Sequence, residues 1–181
     1  GRAATAIDAI STSPVNDIPP LMGHGGDDYC VNAPLHAWTI ERSARSLGRR
    51  IAAKGRARSW TRSKELTTLV RITVEDRNQH GRPTSVRLVD RRGTEAVLST
   101  GDFFFAANFT GPGAGGEPSH ALWSGWADGI SRRGRIKLNG HGFGHGVGLC
   151  QYGAEAMGSS GKSWATILEW YYPGVELHNA W

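Results

Sequence analysis

Asn139-Gly-His-Gly-Phe-Gly-His-Gly-Val-Gly-Leu-Cys-Gln-Tyr-Gly-Ala154 is the stretch around which the rest of this chain can be read. Glycine takes every second position from Gly140 to Gly148, with His141 and His145 among the residues between. Alternate glycines strip one side of an extended strand, so backbone or ligand can approach closely there. His141, Phe143, His145, Val147 and Leu149 would then share the other side. A helix is disfavoured, because each glycine costs about 1 kcal/mol relative to alanine. A phosphate loop does not fit either: no Lys-Ser/Thr follows the glycines, and the spacing is not Gly-x-Gly-x-x-Gly. The expectation is a Gly-rich strand leading into two C-terminal helices, residues 151–158 and 163–172. Ser163 is the N-cap of the second, and Pro173-Gly174 closes it.

Upstream, residues 123–127 and 135–138 read as strands feeding this segment. Residues 69–76 alternate, with Val70, Ile72 and Val74 on one side, and residues 85–89 return with Val86 and Leu88 inward. Gly93 turns the chain again before residues 95–98. Residues 101–108 read as a short helix anchored by Phe103, Phe104 and Phe105, and residues 110–118 as a Gly/Pro loop or cleft lip. Residues 41–54 show helical spacing in Ala44, Leu47, Ile51 and Ala52, stopped by Gly55. Arg42, Arg45, Arg49 and Arg50 make its opposite, solvated face. A short strand is read at residues 36–40, a helix tail at residues 3–10 and a Pro-rich connector at residues 12–21. The fold class is α+β: an antiparallel β-meander with short helices. Trp164 and Trp170, with Ile167 and Leu168, are assigned to the core, and Trp123 and Trp126 are candidates for stacking on a sugar ring.

The length of 181 residues suits one domain, 1–181, with a sizeable core. Glycine, at 25 residues, is about twice its average usage, which signals many turns and close backbone contacts. A hydrophobic share of 39% and a charged share of 20% exclude a wholly disordered chain. The net charge of +5 suits an anionic partner, but the basic residues are dispersed and lack an interleaved aromatic ladder. Nucleic acid is therefore not the expected ligand. No run of about 18 apolar residues is present, so the chain as given does not span a membrane. It opens on Gly1-Arg-Ala-Ala-Thr without a basic-then-apolar leader, and the expectation is a processed or truncated chain. Cys30 and Cys150 are open to three readings: one disulfide outside the cytosol, separate metal ligands, or free thiols.

His24-x5-Cys30-x5-His36 places three side chains that zinc favours within thirteen residues of a Gly-rich loop. The spacing is not that of a common zinc finger, and surface histidines around a buried or disulfide-bonded Cys30 are the plain alternative. His141 and His145 lie on one side of an extended strand but about 13 Å apart at ~3.3 Å per residue. That is too far for two ligands of one ion without a bend.

Gly144-His-Gly-Val-Gly-Leu-Cys-Gln-Tyr-Gly-Ala154, then Met157, then Ile167-Leu-Glu-Trp-Tyr-Tyr-Pro-Gly174, resembles the C-terminal signature of the stage II sporulation protein D family. That family, SpoIID with the related amidase enhancer, comprises cell-wall proteins whose characterised members are peptidoglycan lytic transglycosylases. The resemblance covers roughly residues 28–181 and is strongest over residues 140–174. It implies that His145, Gly146, Gln151 and Tyr152 line a substrate cleft for a glycan strand. Amide and hydroxyl groups beside bare backbone suit sugar hydroxyl and N-acetyl groups. It also implies a structural zinc on His24 and Cys30, with His36 as a third ligand and Cys150, Asp27, Asp28, His141 or water as the fourth. The implied partners are peptidoglycan glycan strands and other cell-wall hydrolases, and the implied location is extracytoplasmic.

A lytic transglycosylase needs one carboxylic acid of raised pKa to protonate the glycosidic oxygen, after which the muramyl 6-hydroxyl attacks. In the family this acid is a glutamate on an N-terminal helix that has no counterpart in this sequence. Glu75, Glu155 and Glu169 are not matched to it, so the catalytic residue is unassigned. Two readings follow for the chain: a transglycosylase-type domain that cleaves or binds denuded strands, or a non-catalytic wall-binding module that stimulates an amidase. A zinc hydrolase built on His24, Cys30 and His36 ranks last, since it would need an open metal position and a general base.

Overall fold

Alternation of apolar and polar residues builds β1 (Ala37–Ser43), β2 (Leu69–Arg77), β3 (Pro83–Asp90), β4 (Glu95–Ser99), β5 (Ala127–Arg132) and β6 (Arg135–His141). They form one sheet in the order β1-β6-β5-β2-β3-β4, antiparallel throughout, in the computed structural model. The structure describes residues 28–79, 81–144 and 148–178; the helix expected at residues 3–10 and the connector at 12–21 lie outside them. Helices α1 (Ala44–Ala57) and α2 (Thr100–Ala107) pack on one face of the sheet. Their apolar sides close a core over Leu47, Ile51, Ile72, Val86, Leu88, Phe103, Ile136 and Leu138. Helices α3 (Gln151–Ser159) and α4 (Trp164–Tyr171) follow the sheet, and the α+β class expected from the sequence is observed.

Several boundaries differ from the sequence reading for physical reasons. Helix α1 begins at Ala44 because Glu41 and Arg42 stay paired with β6 and the Ser43 hydroxyl accepts from the Ser46 amide. It runs through Gly55, whose bare backbone lies against Ser63 and Lys64. Arg42 and Arg50 are not solvated: each is 1% exposed. Strand alternation turns Arg42 inward, where its guanidinium donates to the Ala107 carbonyl at 2.9 Å. Arg50 donates to the Phe109 carbonyl at 2.8 Å. These carbonyls lie at and just beyond the C-terminal end of α2, where helical partners run out. Arg45 and Arg49 are exposed as expected.

Residues 123–126 are not a strand; Ser124 alone bridges to Gly144, and pairing of β5 starts at Ala127. Gly125 is pressed there against the Thr100 carbonyl, which a side chain would overlap. The Gly-rich segment is a strand only to His141. Beyond it Gly142 and Gly144 take φ of +71° and +83°, a left-handed backbone that glycine adopts without strain, and the chain turns away from the sheet. Trp164 is 67% exposed, and α4 has no fully buried residue. Trp170 instead packs half-buried, edge-on to Tyr29 at 5.2 Å. This short helix docks by the aromatic residues of its C-terminal end, not by a buried stripe.

One buried carboxylate pins the sheet's far edge. Asp90 accepts from the Thr67 amide and hydroxyl and from the Arg92 and Thr94 amides, at 2.6–3.1 Å. Burial pulls its pKa up, but these hydrogen bonds outweigh burial and hold it below the ordinary 3.8. Asp90→Ala is expected to cost about 3 kcal/mol in urea unfolding, since it orphans donors that a charged acceptor satisfies. The folded pKa is the lower one, so this stabilisation is full above the ordinary carboxylate range and fades as pH falls through the folded value. Unfolding midpoints of wild type and variant should therefore converge in acid.

Candidate functional site

Antiparallel pairing puts the starts of β1, β3 and β5 and the ends of β4 and β6 at one end of the sheet. There Trp38, Gly140 and Ala127 stand in register across three strands. The indole of Trp38 covers Gly140, and a Cβ on that glycine would overlap its ring. Indole Nε1 donates to the Gly142 carbonyl at 2.9 Å, which fixes the turn that leaves the sheet. The turn is also held by the Gly142 amide on the His36 carbonyl, the Gly144 amide on the Trp123 carbonyl and the Ser124 hydroxyl on the His141 carbonyl.

A cleft of about 310 Å³ opens at this end, lined by residues of the loop before β1, the first turn of α2, residues 124–126 and the Gly-rich turn. Its polar wall is a hydrogen-bonded pair, His36 Nε2 to Asp28 Oδ2 at 2.6 Å. Partial burial pulls Asp28 upward, yet the bonds from His36 and from the Cys30 amide prevail and keep its carboxyl below the usual range. The His36 ring meets the His141 ring edge-on at 6.2 Å, and Trp126 lies tilted over His141 at 5.2 Å. Phe143 is 72% exposed, and its ring lies 6.2 Å from that of Trp123. The result is a rigidly held rim of exposed aromatic faces beside an imidazole–carboxylate pair. Such a surface suits the apolar faces and hydroxyl edges of a sugar ring.

The residues assigned from the sequence are distributed unevenly. His145 and Gly146 lie outside the described residues. Gln151 and Tyr152 are exposed on the first turn of α3 and line a second, broader hollow, not the first cleft. The two depressions share Gly142, Phe143, Gly144 and Cys150. Leu149 and Tyr172 border the second, joined by the Leu149 amide on the Tyr172 hydroxyl at 3.1 Å.

Of the zinc set, His24 lies outside the described residues, while Cys30 and His36 both line the first cleft. His36 is engaged with Asp28, and Cys30 faces Cys150 and the Tyr171 hydroxyl. Burial and the neighbouring Cys150 thiol push Cys30 up to about 12. Among the described residues no three His, Cys, Asp or Glu side chains converge on a metal position. His24, the first of the three ligands implied by the resemblance, is not among them.

Among the residues lining the cleft Asp28 is the carboxylate, and it is held ionised. Asp102 is the described carboxyl whose pKa burial raises, but it bonds to the Ser99 hydroxyl at the start of α2 and does not line the cleft. Glu75 is paired with Arg87, while Glu155 and Glu169 are exposed on α3 and α4. The Asp28–His36 pair escaped the sequence reading. In the sequence each residue reads as a separate metal ligand, and an eight-residue separation in a loop carries no periodic signal.

The chain shares a segment with sporulation and amidase-enhancing proteins. It is 50% identical to the amidase enhancer of Bacillus subtilis (strain 168) over 43 residues, 24% of this chain and 6% of that protein. It is 49% identical to stage II sporulation protein D of Bacillus amyloliquefaciens over 47 residues, 26% of this chain and 14% of that protein. The Bacillus subtilis (strain 168) counterpart is 44% identical over 45 residues, 25% and 13% respectively. Over this segment the chain is a partial match to the SpoIID family; the segment spans about a quarter of this chain and less than a sixth of each relative. No protein-family model matches the chain. Among the described residues no helix is long and apolar enough to cross a membrane.

Proposed function

We propose that this chain is the glycan-binding part of a SpoIID-like peptidoglycan lytic transglycosylase, acting outside the cytoplasm on strands stripped of stem peptides. The observation that carries the reading is the cleft at the end of the sheet, in a chain whose sequence partly matches SpoIID. In this reading Trp126 and Phe143 stack on pyranose faces, while His36, oriented by Asp28, accepts or donates hydrogen bonds to sugar hydroxyls. His145, Gly146, Gln151 and Tyr152 extend the surface along the strand. Asp28 serves as the orienting carboxylate and not as the acid, because a carboxyl held below its ordinary pKa is a poor proton donor at neutral pH. Protonation of the glycosidic oxygen is then left to an acid outside the described residues.

The second reading is a wall-binding module that stimulates an amidase. It is favoured by the ionised state of the cleft's carboxylate and by the likeness to a protein named amidase enhancer. Incubation with peptide-free glycan strands, followed by mass spectrometry, separates the two. Strands ending in 1,6-anhydro-muramic acid support the transglycosylase. Intact strands that co-sediment with the chain support the binding module, and intact strands left in the supernatant contradict both.

A further inference from the structure

Cys30 and Cys150 lie far apart in the sequence, yet the fold brings the loop before β1 and the start of α3 together at one cleft, with Gly153 of that helix against the Cys30 sulfur. Both are unpaired and half-buried in the wall of the first cleft. Their surroundings are arranged for each other. Cys150 occupies the N-cap position of α3 without spending its side chain on the helix. Gly153, one turn on, leaves the space that Cys30 fills; a Cβ there would lie 2.8 Å from the Cys30 sulfur. The Cys30 amide is fixed by the Asp28 carboxylate at 2.7 Å and its carbonyl by the Ala33 amide at 2.8 Å, so the loop presents this thiol in one place. Tyr171 closes the third side, its hydroxyl 3.9 Å from the sulfur.

We propose that Cys30 and Cys150 are a disulfide-forming pair, and that the bond ties the loop carrying Asp28 and His36 to the N-terminus of α3. The oxidant is another disulfide, either a small-molecule one or that of a thiol oxidoreductase. One cysteine thiolate attacks a sulfur of that disulfide and expels the first leaving thiolate. The second cysteine attacks the mixed disulfide, forms the Cys30–Cys150 bond and expels the other. Two electrons pass from the chain to the oxidant, and the two protons end on the leaving thiolates or in solvent. The bond spans most of the chain and fixes one wall of the cleft against another. This inference stands whether or not the cleft takes a glycan.

The test is to equilibrate the full 181-residue chain with a mixture of reduced and oxidised glutathione, alkylate it under denaturing conditions and map it by non-reducing digestion. Alkylatable thiols are expected to fall from two per chain to none, with a peptide joining residues 30 and 150. In Cys150→Ser the remaining Cys30 should instead carry glutathione. Two alkylated thiols, or glutathione on both cysteines of the wild type, would overturn the proposal. So would one bound zinc that protects both thiols until a chelator removes it.

Discussion

Trp38→Ala is expected to lower stability by about 4 kcal/mol, measured by denaturant unfolding, and to abolish the turn that walls the cleft. The indole is 7% exposed, covers Gly140, and belongs to the main core. Truncation removes its apolar contacts and leaves a cavity over a glycine that cannot fill it. It also orphans the Gly142 carbonyl. Trp38→Phe keeps most of the ring and loses the hydrogen bond, so about 1 kcal/mol is expected. If the two variants cost the same, the packing of the indole on Gly140 is not what holds this end of the sheet.

The second large effect concerns the buried arginines. Arg42→Ala is expected to cost about 3 kcal/mol, because a fully buried side chain and its bond to the Ala107 carbonyl vanish together. Burial, and then the charge of Arg50, lower the Arg42 pKa to about 10, so the two guanidinium groups oppose each other in the folded chain. Removing one relieves the other. Each single variant already gains that relief, so the double variant Arg42→Ala/Arg50→Ala should cost more than the sum of the single ones, in a double-mutant cycle at neutral pH. A cost equal to or below the sum would show that the pair is not mutually repulsive.

The sheet was readable where alternation is clean. Val86 and Leu88 point inward as expected, and Ser163 caps its helix. Arg42 was misplaced because a helical pattern and a strand pattern share residues 41–43, and only pairing with β6 decides between them. The Gly-rich stretch carries two compatible readings, bare strand or left-handed turn. The bond from Trp38, 104 positions upstream, holds the turn. Local sequence holds no trace of such a partner. For the same reason Trp123 and Trp126 could be marked as sugar-stacking candidates, while the Asp28–His36 pair beside them could not. Trp164 reads as core from sequence because helical spacing records which residues share a side, not what lies opposite.

The central claim is that the cleft beside Trp126 and His36 takes a glycan strand. Co-sedimentation of the wild type and Trp126→Ala with peptide-free glycan strands, at matched folded fraction, tests it most directly. Wild type is expected to bind, and the variant to bind about tenfold more weakly with an unchanged melting temperature, from loss of one ring-stacking contact. Equal binding by the two, or none by the wild type, would contradict the account.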